Sequence, residues 1–152
     1  MTAPALDVLV SLRAAIIAST AVTAKLGTFQ GAPSVHTRRP VPVDAGYPMV
    51  TIGPIIARSD EDGINTFRPV VIIDINVYGE AAAHYRDVEA VADMIYATFH
   101  RQRGAVSVTG YSVTQITASG PAPAGVTLVG SSSGDDSHVG RRVTLTIRLF
   151  AN

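Results

Sequence analysis

A serine-rich segment near the C-terminal end contains the residue types of a nucleophilic hydrolase. Residues 130–134 match the G-x-S-x-G pattern with Ser132 at the nucleophile position, and Asp135, Asp136 and His138 follow. In hydrolases this pattern joins a strand to a helix, whereas here a second strand is predicted directly after His138. We therefore interpret the segment as a solvated hairpin tip. A serine hydrolase built on Ser132 is the alternative from a different functional class.

An acidic run at residues 60–62 is the second candidate for chemistry, because carboxylates around a glycine turn are ligands that Ca²⁺ prefers. Aligning Gly63 with the invariant glycine of an EF-hand puts Arg58 at the first ligand position. The same alignment puts Pro69 where the bidentate glutamate belongs, which excludes an EF-hand. We expect an exposed acidic tip, and a weak cation site shared between subunits is an open alternative.

Other signatures of metal or nucleotide chemistry are missing from the sequence. There is no cysteine, no H-E-x-x-H spacing, no G-x-G-x-x-G after a strand and no P-loop. The histidines are scattered and are expected at the surface: His36, His84, His100 and His138. We predict no catalytic residue, no metal ligand and no cofactor.

Composition favours one globular domain over residues 1–152 that hides part of its surface against partners. The chain is 47% hydrophobic and 16% charged, with 12 Lys plus Arg against 12 Asp plus Glu, which excludes a disordered tail and a polycationic nucleic-acid binder. The paired arginines at 38–39 and 141–142 could contact phosphate. Without net positive charge, we favour salt bridges within or between subunits.

Hydrophobic periodicity predicts a first helix over Leu6–Ile17, with Leu6, Leu9, Val10, Ile16 and Ile17 on one face and Arg13 projecting onto the same apolar arc. Asp7 and Arg13 interrupt this apolar stretch, so neither a signal peptide nor a membrane span is expected. A short helical turn through Val22 and Leu26 should end at Gly27. Glycines and prolines predict a loop from Gly27 to Gly46, with at most one short strand at Val35–Thr37.

The remaining pattern alternates strands with one long helix. Strands are predicted at Tyr47–Ile52, Val70–Tyr78, Val106–Thr109, Tyr111–Thr117, Val126–Val129 and Val139–Phe150. A helix should begin after Gly79 and Glu80, bury Val88, Val91, Ala92, Ile95 and Phe99, and stop at Gly104. This order predicts an α+β fold, a largely antiparallel or mixed β-sheet with two main helices packed on one face.

The order of features resembles the phage tail terminator or tail completion proteins of siphophages and gene transfer agents. The likeness spans nearly the whole chain and includes the segments LDVLVSLRAAIIAS, AVTAKLG, GYPMVTIG, VVIIDINVYGE and HVGRRVTLTIRLFAN. Its most telling pieces are Tyr47–Pro48 before a strand and the strand-to-helix junction at Tyr78, Gly79 and Glu80. Residues 119–137 form a longer segment than is typical of the family, and we expect an exposed hairpin that reaches a neighbouring subunit.

The resemblance implies a structural virion protein and no reaction. Members form a ring, here expected to be a hexamer, on the last layer of the tail tube, where they stop polymerisation and present a surface to a head-completion or connector protein. DNA would pass through the lumen without sequence-specific binding, and no membrane is involved. The protein would assemble in the host cytoplasm and reside in the virion.

Charged loops are the candidate contacts between neighbouring copies or with partners, because opposite charges set register and partner choice. These candidates are Arg38, Arg39, Asp60, Glu61, Asp62, Asp135 and Asp136. Two readings compete besides the hydrolase. One is another neck component, such as a head-tail connector or a tail tube protein, and the other is a small-ligand-binding or regulatory domain.

Overall fold

The computed structural model describes residues 4–37, 41–42, 44–63, 66–124 and 138–152. Its elements in chain order are helices α1 (Pro4–Ala18) and α2 (Thr20–Thr23), strands β1 (Thr28–Phe29), β2 (Ala32–Pro33), β3 (Val35–His36), β4 (Met49–Gly63) and β5 (Thr66–Glu80), helix α3 (Ala81–Phe99), a 3-10 turn (Arg103–Ala105), and strands β6 (Tyr111–Pro123) and β7 (His138–Ala151). The main sheet has the order β3-β4-β5-β7-β6, and only the β3–β4 pair is parallel. The predicted α+β class is confirmed.

Strict alternation in the two central strands gives the sheet one apolar face. Every second residue of β5 and β7 is buried there: Val71, Ile73, Ile75, Val77, Val143, Leu145, Ile147 and Leu149. Helices α1 and α3 cover this face and form one continuous core with it. Because side chains alternate along a strand, this burial commits the intervening residues to the other face.

Helix α3 buries the predicted stripe in full, from Val88 to Phe99. It ends at Phe99 rather than at Gly104, and His100 takes an extended conformation. The chain turns at Arg101, whose φ of 59° lies in the left-handed region. The predicted stop at Gly104 was therefore wrong, since the turn is made three residues earlier and Gly104 lies in the 3-10 turn.

Helix α1 confirms the predicted element but not its predicted face. Val8, Leu12 and Ile16 are buried, whereas Leu6 and Val10 are 66% and 70% exposed. The buried stripe is therefore rotated from the predicted one by about one residue, or roughly 100°. Both stripes are apolar, so periodicity alone could not choose between them. A helix that is apolar on two sides is expected to lie between two partners, and among the described residues the side that carries Leu6 and Val10 is left exposed.

The predicted end of β4 at a glycine–proline pair was also wrong. Strand β4 does not stop at Gly53 and Pro54 but continues to Gly63, with register shifts between Ile52 and Ala57. Gly53 has a φ of 102°, which a bulge tolerates, and Pro54 lies beyond the two residues of β4 that pair with β3. Proline is compatible with such an outer edge because no ladder hydrogen bond is lost there.

The segment around Gly27 differs from the predicted helix cap. Helix α2 ends at Thr23, and a Cβ on Gly27 would lie 2.6 Å from the carbonyl carbon of Gly46, so this glycine allows two backbone segments to touch. A hairpin that was not predicted follows, with Gln30 and Gly31 at positive φ between β1 and β2.

Of two further predicted strands, one is not formed and the other lies outside the residues that the structure describes. Residues 106–109 do not form a strand, and only an isolated bridge joins Val108 to Tyr111. The predicted strand Val126–Val129 lies outside the described residues. Within the described ranges, no helix is long and apolar enough to cross a membrane.

The junction between β5 and α3 should be sensitive to a single methyl group. A Cβ on Gly79 would lie 2.7 Å from Val88 Cγ2 and 2.8 Å from His84 Cβ. We expect Gly79→Ala to lower the free energy of unfolding by about 1–3 kcal/mol, because overpacking must displace the buried Val88. Urea denaturation measures this change. Gly104→Ala is the matched control, since its Cβ would meet nothing within 4 Å, and an equal loss in both variants would contradict the proposed contact.

Candidate assembly site

The sheet face opposite the helices is polar and carries no helix among the described elements. Register places its residues in cross-strand rows: Gln115, Arg148 and Val70; Thr117, Thr146 and Ile72; Ser119, Thr144 and Asp74; Ala122, Arg142 and Asn76. Thr144 Oγ1 donates a hydrogen bond of 2.6 Å to Asp74 Oδ1 across β5 and β7. We call this surface the open face. Its hydroxyl groups make it compatible with water or with a polar partner.

One end of the open face is covered by the loop that precedes β4. Ala45, Met49 and Tyr78 form a small second core there, against which Phe29 and Tyr47 pack. Gly140 allows this packing, because a Cβ at that position would lie 2.9 Å from two ring carbons of Tyr78. The Tyr47–Pro48 and Tyr78–Gly79 segments, singled out from the sequence, therefore meet at one corner of the sheet and have a structural role there.

The consecutive arginines of β7 have different roles because strand neighbours point to opposite faces. Arg141 lies on the helix side, where its Nη2 is 2.6 Å from Glu89 Oε1 of α3. Arg142 is exposed on the open face, as is Arg148. The interpretation of Arg141 as a salt-bridge residue is confirmed within the subunit.

A serine–histidine pair that sequence reasoning missed lies beside α1. Ser34 Oγ is 2.8 Å from His36 Nε2, and the edge of the Phe29 ring contacts the imidazole, with the two ring centroids 5.5 Å apart. Alternation of side chains along the strand would have placed both residues on one face. Ser34 is fully buried, so no substrate can reach its oxygen. The charged neighbour of His36 is Arg13 rather than a carboxylate, so the pair lacks the third member of a hydrolase triad.

Burial, and secondarily the nearby Arg13 guanidinium, lower the pKa of His36 below its ordinary value of 6.5. The unfolded chain then binds a proton more readily than the folded chain as the pH falls through 6.5. We therefore expect the free energy of unfolding to decrease as the pH is lowered from 7.5 to 5.5. His36→Gln should flatten this dependence, as measured by urea denaturation at both values. An unchanged slope in the variant would assign the pH dependence to other groups.

The other three histidines were expected at the surface, but each is half-buried and in contact. His84 Nδ1 accepts a hydrogen bond from the Glu80 backbone at the start of α3, and His100 Nδ1 accepts one from the Ala118 backbone. His138 lies against the Tyr47 ring, 5.2 Å between centroids. Each imidazole is therefore partly exposed at the surface while it contacts a second element. Across the described part of the chain, no three His, Asp or Glu side chains group as a metal site would require.

The structure describes the position of only some of the predicted contact residues. The acidic residues lie near the end of β4, just before its hairpin with β5. The strand register pairs Asp60, Glu61 and Asp62 with Pro69, Arg68 and Phe67. The acidic tip is therefore the end of a two-stranded ribbon rather than a loop. Arg38, Arg39, Asp135 and Asp136 lie outside the described residues, as does Ser132.

A second surface runs along the outer side of α1. Leu9 lines a cavity of about 220 Å³ together with Thr37 and residues 52–55 of β4. Arg13, one helical turn later, lines a cavity of about 450 Å³ with Phe29, His36 and again Thr37. The two cavities therefore adjoin at Thr37. We call this surface, with the exposed Leu6 and Val10, the α1 strip.

The fold is shared with a virion protein of known structure. No protein-family model and no curated protein matches this chain. Among solved structures 22 chains match. One belongs to the virion of a native gene transfer agent (GTA) particle and superposes with a TM-score of 0.77 at 15% sequence identity. The match covers 99% of this chain and 100% of that chain, so the two share one fold over essentially their entire lengths.

Proposed function

We propose that this chain is a non-enzymatic structural protein of a tailed phage or gene transfer agent particle. The observation that carries the proposal is the end-to-end fold match to a chain of a gene transfer agent virion. A match of this extent favours a whole subunit of the same kind over a shared substructure inside an unrelated protein. Fold alone does not fix a role, so the role rests on further features of the chain.

Within the particle, we assign the role of tail terminator, a ring that caps the tail tube and receives the neck. The sequence resemblance to that family supports this role, and so does the sheet. Among the described residues, β6 pairs only with β7, and β4 beyond Thr51 pairs only with β5, so the sheet ends in two different edges. Different edges favour heterologous contacts between successive copies, and a closed set of such contacts is a ring, for which we propose six members.

Ring closure gives a physical account of termination. Once each copy contacts two neighbours, the ring presents one surface to the last layer of the tube and another to the head-completion or connector protein. The ring does not present the surface to which a further tube subunit would bind, so growth of the tube stops. DNA passes through the lumen without being read, in keeping with a net charge of zero.

Gold-labelled antibody on purified particles and on headless tails tests where the protein lies. We expect one label at the head-proximal end of each tail. Label along the whole tube would assign the chain to the tube protein, and label on capsids without tails would assign it to a head-tail connector. A serine hydrolase would instead lose turnover in Ser132→Ala and react with serine-directed probes, and we expect neither.

A further inference from the structure

The α1 strip has the composition of an interface that the subunit leaves uncovered. Leu6 and Val10 lie one turn apart on α1 and are the most exposed large apolar residues of the described chain. The cavity beside Leu9 is lined mainly by apolar groups of β4. An apolar stripe next to an apolar cavity on a protein surface marks a contact with another protein.

A cation borders this apolar surface. Arg13 is half-buried, and its Nε donates a hydrogen bond of 3.3 Å to the Val35 carbonyl. Among the described residues the rest of its guanidinium has no other hydrogen bond or ion pair, and it lines the larger cavity. A half-buried guanidinium with donors to spare favours a carboxylate partner.

This chain carries a matching segment at the end of the β4–β5 ribbon. Residues 60–62 are Asp, Glu and Asp, and Ile64 and Phe67 follow them in the sequence. Asp62 lies nine residues along β4 from Gly53, a strand length of about 30 Å at 3.3 Å per residue. A separation of this length favours a contact between two copies over one within the subunit.

We propose that the α1 strip of one copy receives the acidic end of the β4–β5 ribbon of the next copy, with Arg13 and the acidic segment 60–62 as the oppositely charged partners. This proposal rests on the ring of the proposed function and names the contact that joins its members. The contact is heterologous, so each copy uses both surfaces and the chain of contacts closes only in a ring. Apolar burial at Leu6 and Val10 supplies affinity, and charge sets the register.

Cysteine cross-linking tests the contact directly, because the natural chain contains no cysteine. Particles are assembled with the double variant V10C/E61C and treated with a short bismaleimide linker. We expect a ladder of cross-linked multiples of the 15.9 kDa chain, at least about tenfold above that of either single variant. Y85C/E61C is the matched control, since Tyr85 is a comparably exposed residue on α3.

The outcomes separate this contact from the ring itself. Particles that contain the chain as a ring but give no V10C/E61C ladder would overturn the contact and leave the proposed function in place. Cross-links from V10C to a tube or neck protein would assign the α1 strip to that partner instead. Particles that lack the chain altogether would contradict the proposed function, and the contact with it.

Charge reversal gives a second readout. We expect Arg13→Glu to reduce the number of heads joined to tails at least about tenfold, and the additional change Glu61→Arg to restore part of that number. Urea denaturation of the purified variants shows whether each still folds. Folded Arg13→Glu protein that joins heads to tails normally would overturn the role of Arg13.

Discussion

Phe99→Ala should lower the free energy of unfolding by about 3–5 kcal/mol. Phe99 is the largest fully buried side chain in the described core and lies at the end of α3, where the helix meets the sheet. Truncation removes its apolar contacts and leaves a cavity that the central strands β5 and β7 cannot fill, because ladder hydrogen bonds hold them on both sides. Chemical denaturation monitored by circular dichroism measures the loss.

Tyr85→Ala on the same helix is the matched control for Phe99→Ala. Tyr85 is 52% exposed, and we expect a change within about 0.5 kcal/mol. Equal losses in the two variants would mean that α3 does not pack on the sheet as described. A loss in Phe99→Ala alone would support the covered face of the sheet as the main source of stability.

Lysine substitutions at neighbouring positions of β7 should have opposite outcomes. Ile147 is fully buried beneath the helices, and Ile147→Lys places an unpaired ammonium group in that core, which should cost more than about 4 kcal/mol and prevent folding. Thr146 lies on the open face between Thr117 and Ile72, where a lysine amine can reach water. Thr146→Lys should therefore remain folded.

Soluble expression and circular dichroism of the two β7 variants check this expectation. Folded Ile147→Lys protein would contradict the two-sided sheet. Unfolded Thr146→Lys protein would show that the open face is covered within the subunit. Because the two positions are adjacent, local effects on strand propensity are nearly the same in both variants, and the difference between them reports the face alone.

The sequence predicted the elements whose two sides differ in polarity. In α3 the apolar residues repeat on one side, and the structure confirms the predicted buried set. In β7 apolar and polar residues alternate, and the apolar side is the buried one. In α1 the apolar residues occupy two stripes, so the period identified a helix without identifying its buried side. The apolar stripe of α1 that does not pack on the sheet belongs to the α1 strip, which we propose to join neighbouring copies.

Glycine and proline were less reliable guides, because their effect depends on tertiary position. The Gly53–Pro54 pair bends β4 at an outer edge without ending it, and Gly104 does not end α3 because Arg101 already turns the chain. The Ser34–His36 pair was missed for a different reason. Its residues are ordinary alone, and only the parallel pairing of β3 with β4 brings them under α1.

Electron microscopy of lysates in which this gene is disrupted tests the terminator role most directly. If the chain caps the tail tube, the disrupted lysate should contain overlong tails without heads, and supplying the intact gene should restore normal length. Tails of normal length that fail to join heads would reassign the chain to a connector. Intact particles of normal tail length would contradict the structural role altogether.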